Sequence, residues 1–286
     1  MEISGSCAVA GIIGWPIEHT RSPRVHNYWL NQYGLDGVYV PLSVEPRYLE
    51  KVIPSLTQCG FVGMNVTIPH KENVLDIVDI VDPIAQRIGA INTIVVQPDK
   101  SLVGRNTDVE GFITNLYDKI PDWNAASGPA VLFGAGGAAK AAAVALIDEG
   151  VPELRVVNRS EDKAQKLRES LNGNIVILSW NQREKALVDA KIVVNATSLG
   201  MDGWPALDVN LGRLSSAAII YDIVYVPLET PLVIQARTNN LRVVDGLGML
   251  LYQACSGFES WFGVKPEVTE TLRAHVLADL KTPKQK

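Results

Sequence analysis

The stretch that most narrows the fold is PAVLFGAGGAAKAAAVALIDEG, residues 129 to 150. A short apolar run that meets glycines and then an alanine-rich helical pattern reads as strand, tight turn and helix. Gly134, Ala135, Gly136, Gly137 and Ala138, followed by Ala139, fit the spacing G-x-G-x-x-A. The glycines permit the turn and let backbone N–H groups approach a pyrophosphate at the helix N-terminus, while a small residue at 139 lets the helix pack close to the strand. An ordinary βα turn also uses glycines, so the next strand along the chain decides the meaning of the motif.

Short apolar runs alternate with helical segments along most of the chain, the pattern of an α/β fold with mainly parallel strands. CAVAGIIG, VYVPLSV and GMNVTIP read as strands in the N-terminal part. SPRVHNYWLNQYG reads as a helix with Ser22 as N-cap, Pro23 in its first turn and Gly34 as terminator. RYLEKVIPSLTQCG is a further helix that Pro54 must kink or split. A helix is expected from about Lys71 to Val81, and INTIVVQPDKSLVGRNTD as a hairpin turning at Pro98-Asp99-Lys100. A second series begins after the linker-like PDWNAASGP (121–129), with LRVVNRS, NIVILSW, KIVVNATS, AAIIYDIVY and LRVVD as strands and a last helix from about 247 to 262. The expected organisation is two α/β domains, one over 1–111 and a second, Rossmann-type one carrying the glycine turn over 112–247. Residues 248–286 complete the chain as C-terminal helices.

The remaining composition excludes more than it assigns. A chain of 286 residues, 47% apolar and 20% charged, suits one or two globular domains. A net charge of -5 argues against a broad nucleic-acid or anionic-membrane surface. No apolar run approaches the roughly 20 residues of a spanning helix, and the N-terminus, with Glu2 and no basic leader, reads as lacking a signal peptide. Cys7, Cys59 and Cys255 lack redox or metal spacing, and the four histidines form no metal-binding pair, so reduced thiols, a cytoplasmic setting and no metal are expected.

The strand after the glycine turn selects between cofactors. A site for NAD places Asp or Glu at its end, where it holds the ribose hydroxyls. This chain has Asn158, Arg159 and Ser160, then Lys163. A carboxylate would repel a 2′-phosphate, whereas a guanidinium bonds it through two donors and a hydroxyl adds one, so NADP is the expected cofactor. The competing reading makes Arg159 a solvated surface residue and Ser160 a plain helix cap; capping and phosphate binding use the same helix end and are compatible.

Polar residues also gather where the N-terminal strands end: Thr20 and Ser22, Asn65 and Thr67, Lys71, Asn92, and Asn106-Thr107-Asp108. Ligands of open α/β sheets bind at the carboxyl ends of strands. Each residue alone also suits a cap, a turn or a solvated surface; their joint occurrence beside a dinucleotide motif favours a site.

Motifs in order along the chain then carry a resemblance: GWPIEHTRSP and HN (14–27), NVTIPHK (65–71), GAINT (89–93), NTD (106–108), GAGGA (134–138), NRS (158–160), NATS-x-G (195–200), YDIVY (221–225) and DGLGML-x-x-Q (245–253). The chain resembles the shikimate dehydrogenase family over nearly its whole length. The resemblance implies reversible, NADP-linked reduction of 3-dehydroshikimate to shikimate in aromatic amino acid biosynthesis. It matches Lys71 and Asp108 to the catalytic pair and Thr20 and Ser22, assisted by Tyr225, to the carboxylate of the substrate. Asn65, Thr67, Asn92, Asp108 and Gln253 match residues at the ring and its hydroxyls, and Ile223 and Gly246 match positions near the nicotinamide. It implies that 1–111 is the substrate domain and that the C-terminal helices pack back on it, and it leaves monomer or homodimer open. Thr20 departs from the family's usual Ser-x-Ser-Pro, and Ser160 and Lys163 replace the more common Thr and Arg.

An ammonium such as that of Lys71 can stabilise the negative charge that hydride transfer places on a ketone oxygen and can supply the proton. A quinate/shikimate dehydrogenase of broader specificity, or a folate-linked dehydrogenase of the same plan, is the rival enzyme reading. A catalytically idle NADP-binding regulator is the rival from another class, and Lys71 with Asp108 argues against it.

Overall fold

The computed structural model describes residues 3 to 280; Glu2, on which the expectation about the N-terminus partly rests, lies outside them. The chain forms two compact units. One comprises the chain up to Thr107 together with the chain from Gln253 onward, the other Asp108–Tyr252.

In the first unit, β1 (Ala8–Gly14), β2 (Gly37–Ser43), β3 (Phe61–Val66), β4 (Ile80–Val81), β5 (Thr93–Val96) and β6 (Leu102–Arg105) form a sheet in the order β2-β1-β3-β5-β6-β4. β1 is parallel to β2 and β3, and β4 to β6, while β5 runs antiparallel to β3 and β6. The expected hairpin forms, with Asp99 Oδ1 accepting the Ser101 N–H at 3.0 Å inside its turn. Its open end, at Asn92 and Arg105, is thereby set against the carboxyl end of β3, because Asn65 is paired with Thr93 and Thr93 with Arg105.

Helices α1 (Ser22–Gln32), α2 (Leu49–Gln58) and α3 (Pro83–Ile88) flank the sheet. The edge strand β2 is closed by a side chain of α1. Asn27 Nδ2 donates to the Tyr39 carbonyl at 2.8 Å and Asn27 Oδ1 accepts the Tyr39 N–H at 3.0 Å, which satisfies backbone groups that an open edge leaves bare. Ile13, Ile53, Met64, Val66, Ile91 and Ile94 are among the buried residues of this core.

Two expectations for this unit are overturned by the structure. The segment from Lys71 to Val81 is not a helix: it makes one tight turn over Asn73–Asp76 and then enters the sheet as β4. Its β-branched residues favour a strand, and the Asp79 N–H and carboxylate both bond the backbone of Leu102, drawing the chain onto β6. Ser22 is not the cap of α1. Arg21 holds that position, no side chain caps it, and the Ser22 N–H donates instead to Thr20 Oγ1 at 3.3 Å. Of the two outcomes expected at Pro54, splitting does not occur: the helix runs from Leu49 to Gln58 with Pro54 inside it. Gly34 does terminate α1, at φ 63, with the Leu35 N–H reaching back to the Leu30 carbonyl.

The second unit opens with α4 (Asp108–Lys119). Its strands β7 (Ala130–Phe133), β8 (Leu154–Val157), β9 (Ile175–Leu178), β10 (Ile192–Asn195), β11 (Ile219–Asp222) and β12 (Arg242–Asp245) are all parallel, in the order β12-β11-β10-β7-β8-β9. Counted within the unit and read from β9, this is 3-2-1-4-5-6, the doubly wound order whose switch point lies between the first and fourth strands. α5 (Gly137–Asp148), α6 (Glu161–Ser170), α7 (Arg183–Ala186) and α8 (Pro231–Thr238) are its further helices. The stretch 121–129 is no linker: Trp123 and Ala125 are buried in this unit.

The last helices, α9 (Gly246–Phe262) and α10 (Glu270–Leu280), bring the chain back to the first unit from Gln253. There Trp261 Nε1 donates to the Ile94 carbonyl at 3.0 Å, across Gly63, where a Cβ would stand 2.0 Å from that nitrogen. Only glycine at 63 admits the indole. No helix among the described residues is long and apolar enough to cross a membrane.

Candidate functional site

In the first unit the strand register assembles a polar cluster. Asn65, at the end of β3, gives both amide protons to neighbours: one to the Asn92 carbonyl at 3.1 Å, one to Thr93 Oγ1 at 3.0 Å. Its Oδ1 accepts the hydroxyl of Tyr39 at 2.6 Å. Asn92 Oδ1 accepts the Thr107 N–H at 2.9 Å, and Asn92 Nδ2 lies 3.0 Å from Thr107 Oγ1 and 3.4 Å from Gln253 Oε1. Asn65, Asn92, Thr93 and Thr107 are buried, so these bonds replace water that the groups have lost. Asn65, Asn92 and Gln253, far apart in sequence, are thus brought together.

Thr20 and Ser22 lie on the turn into α1, at the carboxyl end of β1. The Ser22 N–H on Thr20 Oγ1 leaves the Thr20 hydroxyl proton to be given elsewhere. Thr67 and Lys71 come after β3, both half-buried, and the Lys71 carbonyl accepts the Ile91 N–H at 2.8 Å. His70, between them, turns inward: its Nε2 bonds the Val44 carbonyl at 2.7 Å and the ring is fully buried. Asn106 is also structural, with Nδ2 donating to the Ala90 carbonyl at 2.9 Å. Asp108 is the first residue of α4, 8% exposed, and belongs to the second unit.

Tyr39 is a site residue that the sequence pattern does not reveal. Its ring is buried and its hydroxyl stands between Ser22 and Asn65; burial holds the phenol well above its usual pKa, with the Ser22 hydroxyl pulling weakly the other way. It therefore stays protonated and must donate, which fixes Asn65 with its oxygen toward Tyr39. The only signal in the sequence is one hydroxyl on an apolar strand.

In the second unit all six strands end level. Leu178, Val157, Phe133, Asn195, Asp222 and Asp245 are register partners across β9-β8-β7-β10-β11-β12. The cofactor positions expected from the sequence lie just past these ends: Asn158, Arg159 and Ser160 after β8, Gly134 to Ala138 after β7, Ile223 after β11 and Gly246 after β12. Gly134 has φ 115, and a Cβ on it would stand 2.8 Å from the Ala196 carbonyl oxygen. Gly136 and Gly137 differ: a Cβ on either meets nothing within 4 Å. The protein itself has no packing reason for glycine there, which is what close approach of a phosphate would require. Gly136 stands at the N-cap of α5 and offers no side-chain cap, the arrangement in which the first N–H groups of a helix serve an anionic ligand.

At the end of β8 no carboxylate appears. Asn158 Nδ2 donates to the Ser160 carbonyl at 2.8 Å and shapes the turn; Arg159, Ser160 and Lys163 are exposed. Ser160 stands at the cap position of α6 yet its side chain makes no cap bond, so its hydroxyl is not consumed by the helix.

A buried hub at the ends of β10 and β11 is likewise absent from the sequence-based expectations. Asp222 accepts from Asn195 Nδ2 at 2.9 Å, from the Val224 N–H at 3.0 Å and from Thr230 Oγ1 at 2.6 Å. Burial pushes its carboxyl up to about 6 against those three donors. The hub ties down the loop that carries Ile223 and half-buried Tyr225.

A glycine turn at the switch point of such a sheet marks dinucleotide-linked oxidoreductases, and this chain is one of that class. Family models match residues 12–94 as a shikimate dehydrogenase substrate binding domain, 117–201 as shikimate / quinate 5-dehydrogenase and 246–276 as a shikimate 5′-dehydrogenase C-terminal domain. The chain is 50% identical over 276 residues to the shikimate dehydrogenase (NADP(+)) of Paramagnetospirillum magneticum, covering 96% of this chain and all of that one. Among solved structures, a quinate dehydrogenase from Corynebacterium glutamicum in complex with NAD superposes with a TM-score of 0.89 at 30% identity, over 95% of this chain and 99% of the other. A shikimate dehydrogenase in complex with NADP+ gives 0.87 at 34% identity, over 98% of both chains. The chain belongs to the shikimate dehydrogenase family.

Proposed function

We propose that this protein reduces 3-dehydroshikimate to shikimate with NADPH, reversibly, using Lys71 and Asp108 as the catalytic pair. Bound NADPH supplies the hydride. The Lys71 ammonium, at the exit of β3, donates the proton to the oxygen that becomes a hydroxyl, and its charge stabilises that oxygen as negative charge develops. Asp108 accepts a hydrogen bond from a ring hydroxyl and so orients the ring.

The single observation that carries the substrate reading is the Asn65–Asn92–Thr107–Gln253 cluster at the carboxyl end of a sheet. Because Asn65 has spent both amide protons inside the protein and its Oδ1 accepts the Tyr39 hydroxyl, it serves the ring chiefly by holding Asn92 and Tyr39 in place. Asn92, Thr67 and Gln253 bond the ring hydroxyls directly. Thr20 and Ser22 donate to the carboxylate of the substrate, with Tyr225 as third donor.

The residues fit NADP. Glycines 136 and 137, which no protein neighbour requires, admit the pyrophosphate along Gly134 to Ala138. Arg159, Ser160, Lys163 and Asn158 bind the 2′-phosphate, and Ile223 with Gly246 lines the nicotinamide. The enzyme works in the cytoplasm, with its cysteines reduced, as a monomer or homodimer.

Quinate with NAD is the second reading, favoured by the fit to the quinate dehydrogenase structure; the missing carboxylate after β8 opposes its cofactor half. Initial rates of shikimate and quinate oxidation with NADP+ and NAD+ separate the readings. Shikimate with NADP+ should have the highest kcat/KM. Lys71→Ala should lower kcat by roughly 100-fold or more, with a smaller change in KM for shikimate. A variant with near-normal kcat would remove Lys71 from the chemistry.

A further inference from the structure

The structure assigns Asp279, in the last helix, as a positioning residue for the substrate's carboxylate, acting through Arg21. The assignment rests on Thr20 and Ser22 being the donors to that carboxylate. Arg21 lies between those two residues, and its guanidinium is taken out of water on the side of α10. Arg21 Nε is 2.7 Å from Asp279 Oδ2, with side-chain exposures of 10% and 17%. The same guanidinium curls back to donate from Nη1 to the His19 carbonyl at 3.2 Å. Two points of the turn are therefore fixed from one side chain, and the side chain is fixed by Asp279.

Within the turn the Thr20 N–H donates to the Ile17 carbonyl at 3.1 Å, but its side chains are held more loosely. Arg21 occupies the cap position of α1 without a capping side chain, and the bond between the two hydroxyl residues, Ser22 N–H to Thr20 Oγ1, is 3.3 Å long. A carboxylate ligand needs the Thr20 and Ser22 hydroxyls aimed together before it arrives, since ordering them on binding costs affinity. Losing the Asp279 carboxylate would leave a nearly buried guanidinium without its counter-charge, and it would leave its place to regain water. The His19–Ser22 turn would loosen with it.

Arg24 shares the carboxylate, with Nη2 2.8 Å from Asp279 Oδ1, but its side chain is 48% exposed and it lies beyond the turn. It offers a control. The docking of α10 has other supports than these ion pairs: Leu272 and Val276 are fully buried, Tyr28 packs on His275, and just before the helix the Glu267 carbonyl accepts from Trp29 Nε1 at 3.0 Å. A change at 279 should spare the helix itself.

The experiment is steady-state kinetics on full-length Asp279→Ala, Asp279→Glu and Arg24→Gln, with thermal melts alongside. Asp279→Ala should raise KM for shikimate roughly threefold to tenfold, the cost of ordering one loosened turn on binding. Its kcat and its KM for NADP+ should stay within about twofold, since neither depends on the turn before substrate is bound. Asp279→Glu should recover most of the shikimate affinity, and Arg24→Gln should behave like the wild type. An unchanged KM for shikimate in Asp279→Ala overturns the assignment, as does an equal rise in Arg24→Gln, which would trace the effect to helix docking. A fall of kcat and both affinities together would likewise show a general structural role. If the wild type fails to oxidise shikimate at all, the functional reading fails first, and the two failures are distinct.

Discussion

The carbonyl oxygen of Ile223 occupies the space that a side chain on Gly246 would need: a Cβ there would stand 2.0 Å from it and 2.4 Å from its carbon. The two residues come just after the aligned ends of β11 and β12, so the contact fixes the height of the Ile223 loop over the sheet. Both partners in the clash are backbone, so no rotamer change relieves it. Gly246→Ala should cost about 1–3 kcal/mol, lowering Tm by roughly 2–12 °C in a chain of this size. Gly136→Ala provides the opposite case. A Cβ at 136 meets nothing within 4 Å, so Tm should hold while KM for NADP+ rises. Melts of both variants with and without NADP+ check this; a destabilised Gly136→Ala would show that its glycine serves the fold.

Arg159 should set the choice of cofactor. It is exposed at the end of β8, next to a serine whose hydroxyl the helix does not use. A charge-assisted contact with phosphate contributes about 1.5–3 kcal/mol, or roughly a tenfold to 150-fold preference. Arg159→Ala should raise KM for NADP+ by that order and leave KM for NAD+ nearly unchanged. Equal losses with both cofactors would make Arg159 structural.

How much of the fold and site is legible in the sequence depends on how local the cause is. The glycine turn, the Pro98 hairpin and the Gly34 terminator are each decided by residues within one turn of chain, and each reads directly. The stretch from Lys71 to Val81 misleads because its fate is decided from afar: the Leu102 backbone bonds Asp79 and draws Ile80 and Val81 into a strand. Ser22 misleads for a related reason, since Thr20 takes its N–H and Arg21 is held by a helix some 250 residues later in sequence. Tyr39 and the Asp222 hub are invisible. A tyrosine in VYV or an aspartate in YDI has no local mark of burial, and only strand register sets one beside Asn65 and the other beside Asn195.

His26 should make the fold sensitive to acid. Its ring is wholly buried, stacked on Tyr39 at 4.1 Å and enclosed by Trp29, Phe258 and Trp261. Neither ring nitrogen has a hydrogen-bond partner. Burial lowers its pKa from 6.5 to about 3, and the Asn65 amide nearby opposes this only weakly, without completing a bond. The folded value is depressed, so the folded chain resists a proton that the unfolded chain takes up below pH 6.5. Stability is therefore intact above that pH and falls as pH drops toward about 3, by about 1.4 kcal/mol per unit. His26→Phe, which sacrifices no hydrogen bond, should remove about 2 kcal/mol of the loss between pH 7 and pH 5. Urea unfolding at the two pH values measures it, and an undiminished acid loss in the variant would place the sensitivity elsewhere.

Thr20 should sharpen selection for shikimate over quinate. In shikimate the carbon bearing the carboxylate is trigonal, so the group lies flat against the ring edge. In quinate that carbon is tetrahedral and carries an extra hydroxyl, which needs both room and a partner. Thr20 keeps its hydroxyl proton for the carboxylate because its oxygen already accepts the Ser22 N–H at 3.3 Å, and β-branching stiffens the side chain about χ1. Its methyl group is the one addition over the serine usual in the family. An apolar methyl set against the extra hydroxyl leaves that hydroxyl unpaired, a cost of about 1–3 kcal/mol, while the flat carboxylate avoids most of the crowding. Thr20→Ser keeps the donor and the bond to Ser22 and removes only the methyl. It should therefore narrow the shikimate-to-quinate ratio of kcat/KM by roughly fivefold or more, as the lower end of that cost implies. The gain should come from quinate rather than from a loss with shikimate. A ratio equal to that of the wild type would mean that the methyl faces protein and that Thr20 leaves the choice of polyol to other residues.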